Sequence, residues 1–330
     1  MPNLDASSRE VSLPKLAVLP LTLLFVACAA RVESAPPAAP PSTGTPRVLQ
    51  TDDNWQIYIT YFPAPGDRPE LTKEAPVVVL LHGDKQGENR LVYEGPNGLA
   101  ARLQAEGCAV ITVDLRKHGQ STEVGTSPSG GRSESAISGT DYQNMVDYDM
   151  EAVKKFIEQQ HQAKKLNMRK MAIVGAGSSV GVAAAYAVAD WNKEPYDDAP
   201  SDDMKTPRGQ DVRALVFLSP PARVKGLNLA QKVSEIRNPD WNIAFLTMYG
   251  KANRPDSREA EALHKRLSGT NKASKDRMYL IGINVPSRGT DLLGIKEVGA
   301  ETGIVNFIKR HLFNLRDSEW RDRQSRLVRK

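Results

Sequence analysis

Residues Arg169–Trp191 read RKMAIVGAGSSVGVAAAYAVADW. Met171 to Val174 is a short apolar run with the length and composition of a strand. Gly175, Gly177 and Gly181 mark a sharp turn after it. Val182 to Ala189 is small and apolar on every side, the pattern of a helix buried against a sheet. Strand, tight turn and buried helix in direct succession predict an α/β fold, and the rest of the chain is read outward from here.

The same alternation recurs on both sides. Ala75 to Leu81 (APVVVLL) and Cys108 to Asp114 (CAVITVD) are continuous apolar runs of the kind found in central parallel strands. Lys170 to Val174, Val212 to Leu218, Ile243 to Tyr249 and Met278 to Ile283 continue the series. Trp55 to Phe62 alternates and is rich in aromatic and β-branched residues, which predicts an antiparallel edge strand. Helices are expected over Leu99–Glu106, Asp141–Gln162, Ser257–Leu267 and Glu301–Phe313. Thr122 to Gly139 is Ser- and Gly-rich and reads as a mobile loop. The spacing implies a doubly wound, mostly parallel sheet. Ligands bind such sheets beyond the strand carboxyl ends. The loops that matter therefore start at His82, Asp114, Gly175, Ser219, Gly250 and Asn284.

The chain has 330 residues and a formal charge of +5. From Asn314 to Lys330 five Arg and one Lys face two Asp and one Glu, a net of +3. The excess is thus concentrated in a basic C-terminal tail, expected to be a solvated, partly helical extension. A near-neutral body does not indicate a nucleic-acid partner. Of the two cysteines, Cys108 opens a strand and reads as a core residue. No Cys/His spacing suggests a metal site. Gly175-x-Gly177-x-x-x-Gly181 is one residue too long for a dinucleotide fingerprint and follows the third central strand, so no cofactor is expected.

Leu16 to Ala30 (LAVLPLTLLFVACAA) is apolar, too short to span a bilayer and preceded by Arg9 and Lys15. It reads as an export segment over residues 1–29. Phe25-Val26-Ala27-Cys28 resembles a bacterial lipobox, which implies a lipid on Cys28 and attachment to a membrane of the cell envelope. Cleavage at Ala27-Cys28-Ala29, giving a secreted or periplasmic protein, is the competing expectation. Residues 30–46 are rich in Pro and Ala and read as an extended tether. The body then runs over 47–313 and the tail over 314–330.

From Trp55 to Phe313 the chain resembles the α/β-hydrolase superfamily, a three-layer sandwich, here without a separate lid domain. His82-Gly83 looks like the family's oxyanion loop. Asp114-x-Arg116-x-His118-Gly119-x-Ser121 looks like its D-x-R-G-H-G-x-S turn. Gly177-Ser178-Ser179-Val180-Gly181 satisfies the G-x-S-x-G nucleophile elbow. That register makes Ser179 the nucleophile. Counting from the strand end instead places Gly177 there, and the sequence leaves both registers open. The resemblance implies an acid after the strand ending at Tyr249, where Asn253 stands, with Asp256 three residues on. It implies a histidine after the last strand, where Arg288 stands. Arginine stays protonated and cannot act as a base. In the family His82 and His118 are structural residues, and His161, His264 and His311 lie in or at the ends of helices.

Two functions follow. One is an exported, catalytically degenerate hydrolase-like protein that binds an unidentified small molecule or protein at the former cleft, around His82, Gly83, Val180, Asn253 and Arg288. In that case Arg288 pairs with Asp256 or Asp291. The other is an active serine esterase or acyl hydrolase with Ser179 as nucleophile and Asp256 as relocated acid. Its oxyanion hole would come from backbone N–H groups near Gly83 and Val180.

Overall fold

Six consecutive parallel strands, extended by two antiparallel ones, form the eight-stranded sheet of the computed structural model, which describes residues 43–122, 136–269 and 276–328. The chain divides into two compact units, Met1–Pro37 and Ala38–Lys330. The first lies outside the described residues, and with it the export segment and Cys28; so do residues 38–42 of the tether, most of the 122–139 loop and the last two residues of the tail.

The strands are β1 (Thr45–Gln50), β2 (Gln56–Phe62), β3 (Pro76–Leu81), β4 (Ala109–Val113), β5 (Asn167–Ala176), β6 (Val212–Leu218), β7 (Ala244–Gly250) and β8 (Met278–Ile283). Their order across the sheet is β1-β2-β4-β3-β5-β6-β7-β8. The helices are α1 (Pro69–Thr72), α2 (Leu99–Ala105), α3 (Gly139–Asn144), α4 (Met150–Gln162), α5 (Ser179–Trp191), α6 (Leu229–Ile236), α7 (Arg254–Ser268) and α8 (Ala300–Ile308). No helix among the described residues is long and apolar enough to cross a membrane.

Burial on both faces explains the continuous apolar runs. Val77, Val79 and Leu81 of β3 point to one core with Val153, Ile157, Val182 and Tyr186 of α4 and α5. Val78 and Leu80 point to the other, with Leu99 and Leu103 of α2 and Ile304 and Phe307 of α8. The result is a three-layer sandwich, as the sequence predicts.

Three details differ from the sequence reading. Trp55–Phe62 is not an edge, because β2 pairs with β4 on one side and β1 on the other. The outer strand β1 begins at Thr45, inside the stretch read as tether. Its Pro46 needs no ladder donor on an exposed edge. The long helix expected over 141–162 is interrupted by a π turn at Met145–Asp149. That turn carries Asp149 to the Arg116 guanidinium.

The third difference is the tail. Residues 314–328 contain no α-helix and lie against the N-terminal ends of the strands. Asn167 Nδ2 donates to Ser318 O at 2.8 Å, and Trp320 stacks on buried His161 with ring centroids 5.0 Å apart. Arg323 Nη2 donates to buried Asp211 at 2.8 Å. The net charge of this segment suggested solvation. Its Trp and its fixed arginines instead make it a strap.

Candidate active site

β5 ends at Ala176, and Gly177 and Ser178 make the turn into α5. The Gly177 φ of +53° lies in the left-handed region, where a residue without Cβ is favoured. Gly177 thus stands at the apex of the turn and Ser179 begins the helix. The Ser179 hydroxyl is 3% exposed and committed to backbone. It accepts from Ala176 N at 2.9 Å and lies 2.9 Å from Ala176 O and 3.2 Å from Leu81 O. It is not part of the cleft wall. Val180 is fully buried, and its N–H donates to Gly177 O at 3.1 Å.

The space above Gly177 is taken by a carboxylate. A Cβ built on Gly177 would come within 2.7 Å of Asp84 Oδ1. Ser178, which does line the cleft, donates its hydroxyl to Asp84 Oδ2 at 2.5 Å. A second carboxylate, Glu88, folds back under the same loop. It accepts from Gly83 N at 3.1 Å and from Lys85 N at 3.3 Å, and it also holds the Thr290 hydroxyl. A Cβ on Gly83 would meet Glu88 Oε2 at 2.7 Å, so a larger residue there would displace that carboxylate. The N–H that the resemblance assigns to oxyanion binding is thus already bonded to a carboxylate of the chain itself.

The positions that the resemblance assigns to acid and base are tied down as well. Asn253 caps α7, accepting from Asp256 N at 3.2 Å, as its residue type favours. Asp256 is fully buried. Its Oδ2 accepts from Ser219 Oγ and Gly250 N, both at 2.8 Å. Its Oδ1 faces Arg288 Nε at 3.5 Å, and Arg288 Nη2 bonds Glu259 at 2.9 Å. Arg288 is therefore clamped by Asp256 and Glu259. Asp291, the other expected partner, pairs with Lys85 instead.

His82 is 1% exposed and lies beside His118, ring centroids 4.5 Å apart. Leu115 N–H donates to its Nε2 at 3.3 Å, so Nδ1 carries the proton and donates to Gly83 O at 2.6 Å. Burial, and then the charge of His118, push its pKa down to about 3. Neither histidine lines the cleft. All five histidines of the chain are shifted downward, each chiefly by burial.

This has a measurable consequence. Between about pH 3 and 6.5 the unfolded chain binds a proton at His82 that the folded chain does not. Stability is therefore lost as pH falls below 6.5, with a slope from this residue of up to about 1.4 kcal/mol per pH unit. Urea midpoints taken from pH 7 to 4.5 should fall less steeply in His82→Gln than in wild type, by close to one proton. Parallel slopes would refute the burial of a neutral His82.

The cleft over Gly177 has a volume of about 340 Å³. Asp84, Glu88 and Glu259 face it with Lys85 and Arg288, and Pro221 is the one apolar side chain among its described lining residues. Asp84, Glu88, Ser219 and Glu259 belong to no motif read from the sequence, and Ser178 enters only as the variable position of G-x-S-x-G. The only available signal was a charged residue directly after His82-Gly83. Among the described residues no group of three or more His, Cys, Asp or Glu is placed to hold a metal ion.

Residues 78–327 match the model of the α/β hydrolase family. No curated protein matches the sequence. Among solved structures, an esterase of Pyrococcus furiosus superimposes with a TM-score of 0.54 at 14% identity, covering 82% of this chain and 91% of that one. The esterase Est22 gives 0.50 at 14%, covering 81% and 80%. An acylaminoacyl peptidase gives 0.52 at 12%, with 84% of this chain matching 43% of that one. At these identities the likeness is one of fold.

Proposed function

The chain belongs to the α/β-hydrolase family, and we propose that it is a member that binds a ligand in the family's catalytic cleft without hydrolysing it. The observation that carries this reading is the Asp84 carboxylate, which stands where a side chain on the elbow residue would project. Ester hydrolysis needs an activated nucleophile, a base to take its proton and donors aimed at the developing oxyanion. Here the elbow apex has no side chain. The residue at the base position is an arginine held in two ion pairs. An oxyanion forming over Gly177 would face Asp84 and Glu88 rather than free N–H groups. A cleft walled by charges of both signs suits a small polar ligand bearing both signs better than an acyl chain.

The esterase reading with Ser179 and Asp256 requires a hydroxyl that is committed to Ala176 and an acid that faces an arginine. Of the two serines that line the cleft, Ser219 donates its hydroxyl to Asp256 and Ser178 donates to Asp84. Export, with a lipid on Cys28 as the membrane anchor, belongs to the same proposal and rests on the apolar run at 16–30 and the FVAC tetrapeptide.

Fluorophosphonate labelling tests the reading. Folded wild-type protein, verified by circular dichroism, should take up no label. Stoichiometric labelling that disappears in Ser178→Ala or Ser179→Ala would overturn the proposal and name the nucleophile.

A further inference from the structure

A second cleft lies at the opposite edge of the sheet, between the start of β5, the 203–207 loop and the C-terminal strap. Its volume is about 420 Å³. Five cations line it, Arg169, Lys205, Arg321, Arg323 and Arg326, against the carboxylates Asp203 and Asp322, a net of +3.

Arg169 and Arg323 are held by hydrogen bonds, and three of the five cations have no carboxylate partner among the described residues. Arg169 donates to two backbone carbonyls, Glu319 O at 2.5 Å and Asp317 O at 2.8 Å. The carbonyls hold the guanidinium in place without neutralising its formal charge. Arg169, Arg321 and Arg326 form no ion pair with a carboxylate among the described residues. Lys205 pairs with Asp197 and Asp202, both more than nine-tenths exposed, and such pairs are weak. Only Arg323 has a buried partner, Asp211. Burial, and then the charges of Arg321, Arg323 and Arg213, push the Arg169 pKa below its ordinary value. The strap thus folds back so as to bring like charges together, an arrangement that an anion would relieve.

We propose that this cleft binds a phosphate-bearing ligand with two or more negative charges. Guanidinium forks match phosphate oxygens two at a time, and that of Arg169 is held in place by two carbonyls. Arg169, Arg321 and Arg326, the three guanidiniums without a carboxylate partner among the described residues, suit a pyrophosphate or phosphomonoester group better than a singly charged anion. No aromatic side chain lines the cleft, so nothing there offers a base a stacking surface. The phosphate group itself is what the site would recognise, whether on a soluble molecule or on an anionic lipid.

Titration calorimetry of the full chain with pyrophosphate at low ionic strength tests this. Saturable binding at one site is expected. It should weaken at least tenfold in Arg321→Gln/Arg326→Gln, whose two residues are exposed and form no ion pair among the described residues, and remain unchanged in Arg254→Gln/Arg258→Gln on α7. Co-sedimentation with phosphatidylglycerol and phosphatidylcholine vesicles separates the sources. Retention on the anionic vesicles that pyrophosphate competes away, and that the double variant lacks, supports the site and assigns it to a lipid headgroup; calorimetric binding without retention supports it and assigns it to a soluble phosphate. No saturable binding of either probe, or binding that Arg321→Gln/Arg326→Gln retains, overturns the proposal.

Discussion

Lys154→Met is expected to lower the unfolding free energy by about 3–5 kcal/mol, because it leaves buried carboxylates without their cation. Lys154 projects from α4 into a site with no solvent. Its Nζ donates to Asp190 Oδ1 at 2.5 Å and to Asp211 Oδ2 at 2.6 Å, and both aspartates are fully buried. Asp190 ends α5 and also accepts from Asp211 N and Val212 N, which fixes the start of β6. Arg323 of the strap is the second cation on Asp211. One lysine therefore ties α4, α5, β6 and the C-terminal segment together. Without it, Asp190 keeps two backbone donors but no counter-charge. Urea unfolding followed by circular dichroism gives the loss, and Lys154→Met/Asp190→Asn should recover part of it. A single-variant loss under about 1 kcal/mol would show that water already reaches this cluster.

That network also shows what sequence reading can and cannot reach. Central strands such as VVVLL at 77–81 are legible because burial on both faces leaves no polar position to confuse the pattern. Asp190, Asp211 and Arg323 are not legible, since each looks like an ordinary surface charge until the fold brings it to Lys154. The strap fails for the same reason. Net charge does not reveal that Arg169 will find the carbonyls of Asp317 and Glu319, or that Trp320 will cover His161.

The elbow is a subtler case. G-x-S-x-G is satisfied at 177–181, and the motif alone points to Ser179. Strand length points to Gly177. What decides between them is where β5 releases the chain, and that depends on its pairing with β3 and β6 as far as Gly175 and Ala176. That Asn253 and Arg288 stand at the positions the resemblance marks for acid and base was legible, because those positions are set by the strand ends. The carboxylates that fill the cleft were not, because Asp84 and Glu88 act through a loop whose path only the fold supplies.

Arg116 tests the opposite wall of that loop, and here the shape of the side chain matters as much as its charge. Its guanidinium donates to Asp149 Oδ1 from Nε at 2.9 Å and from Nη2 at 2.6 Å, and to Asp53 from Nη1 at 2.7 Å and Nη2 at 3.1 Å. It also lies over the Trp55 ring, 5.3 Å from the centroid. Arg116→Met should cost about 3–5 kcal/mol, since fully buried Asp149 loses its cation. Arg116→Lys should recover less than half of that. A lysine keeps the charge, but a point ammonium cannot span two carboxylates and stack on an indole at once. The loss should reach His82, because Leu115, the preceding residue, supplies the N–H that fixes its ring. Loosening it exposes His82 to water, so its pKa should climb from about 3 toward the ordinary histidine range. Urea unfolding and histidine NMR titration of the two variants measure both effects. An Arg116→Lys protein within about 1 kcal/mol of wild type, with His82 still silent above pH 4, would mean that charge alone holds this turn and that the planar fork is incidental.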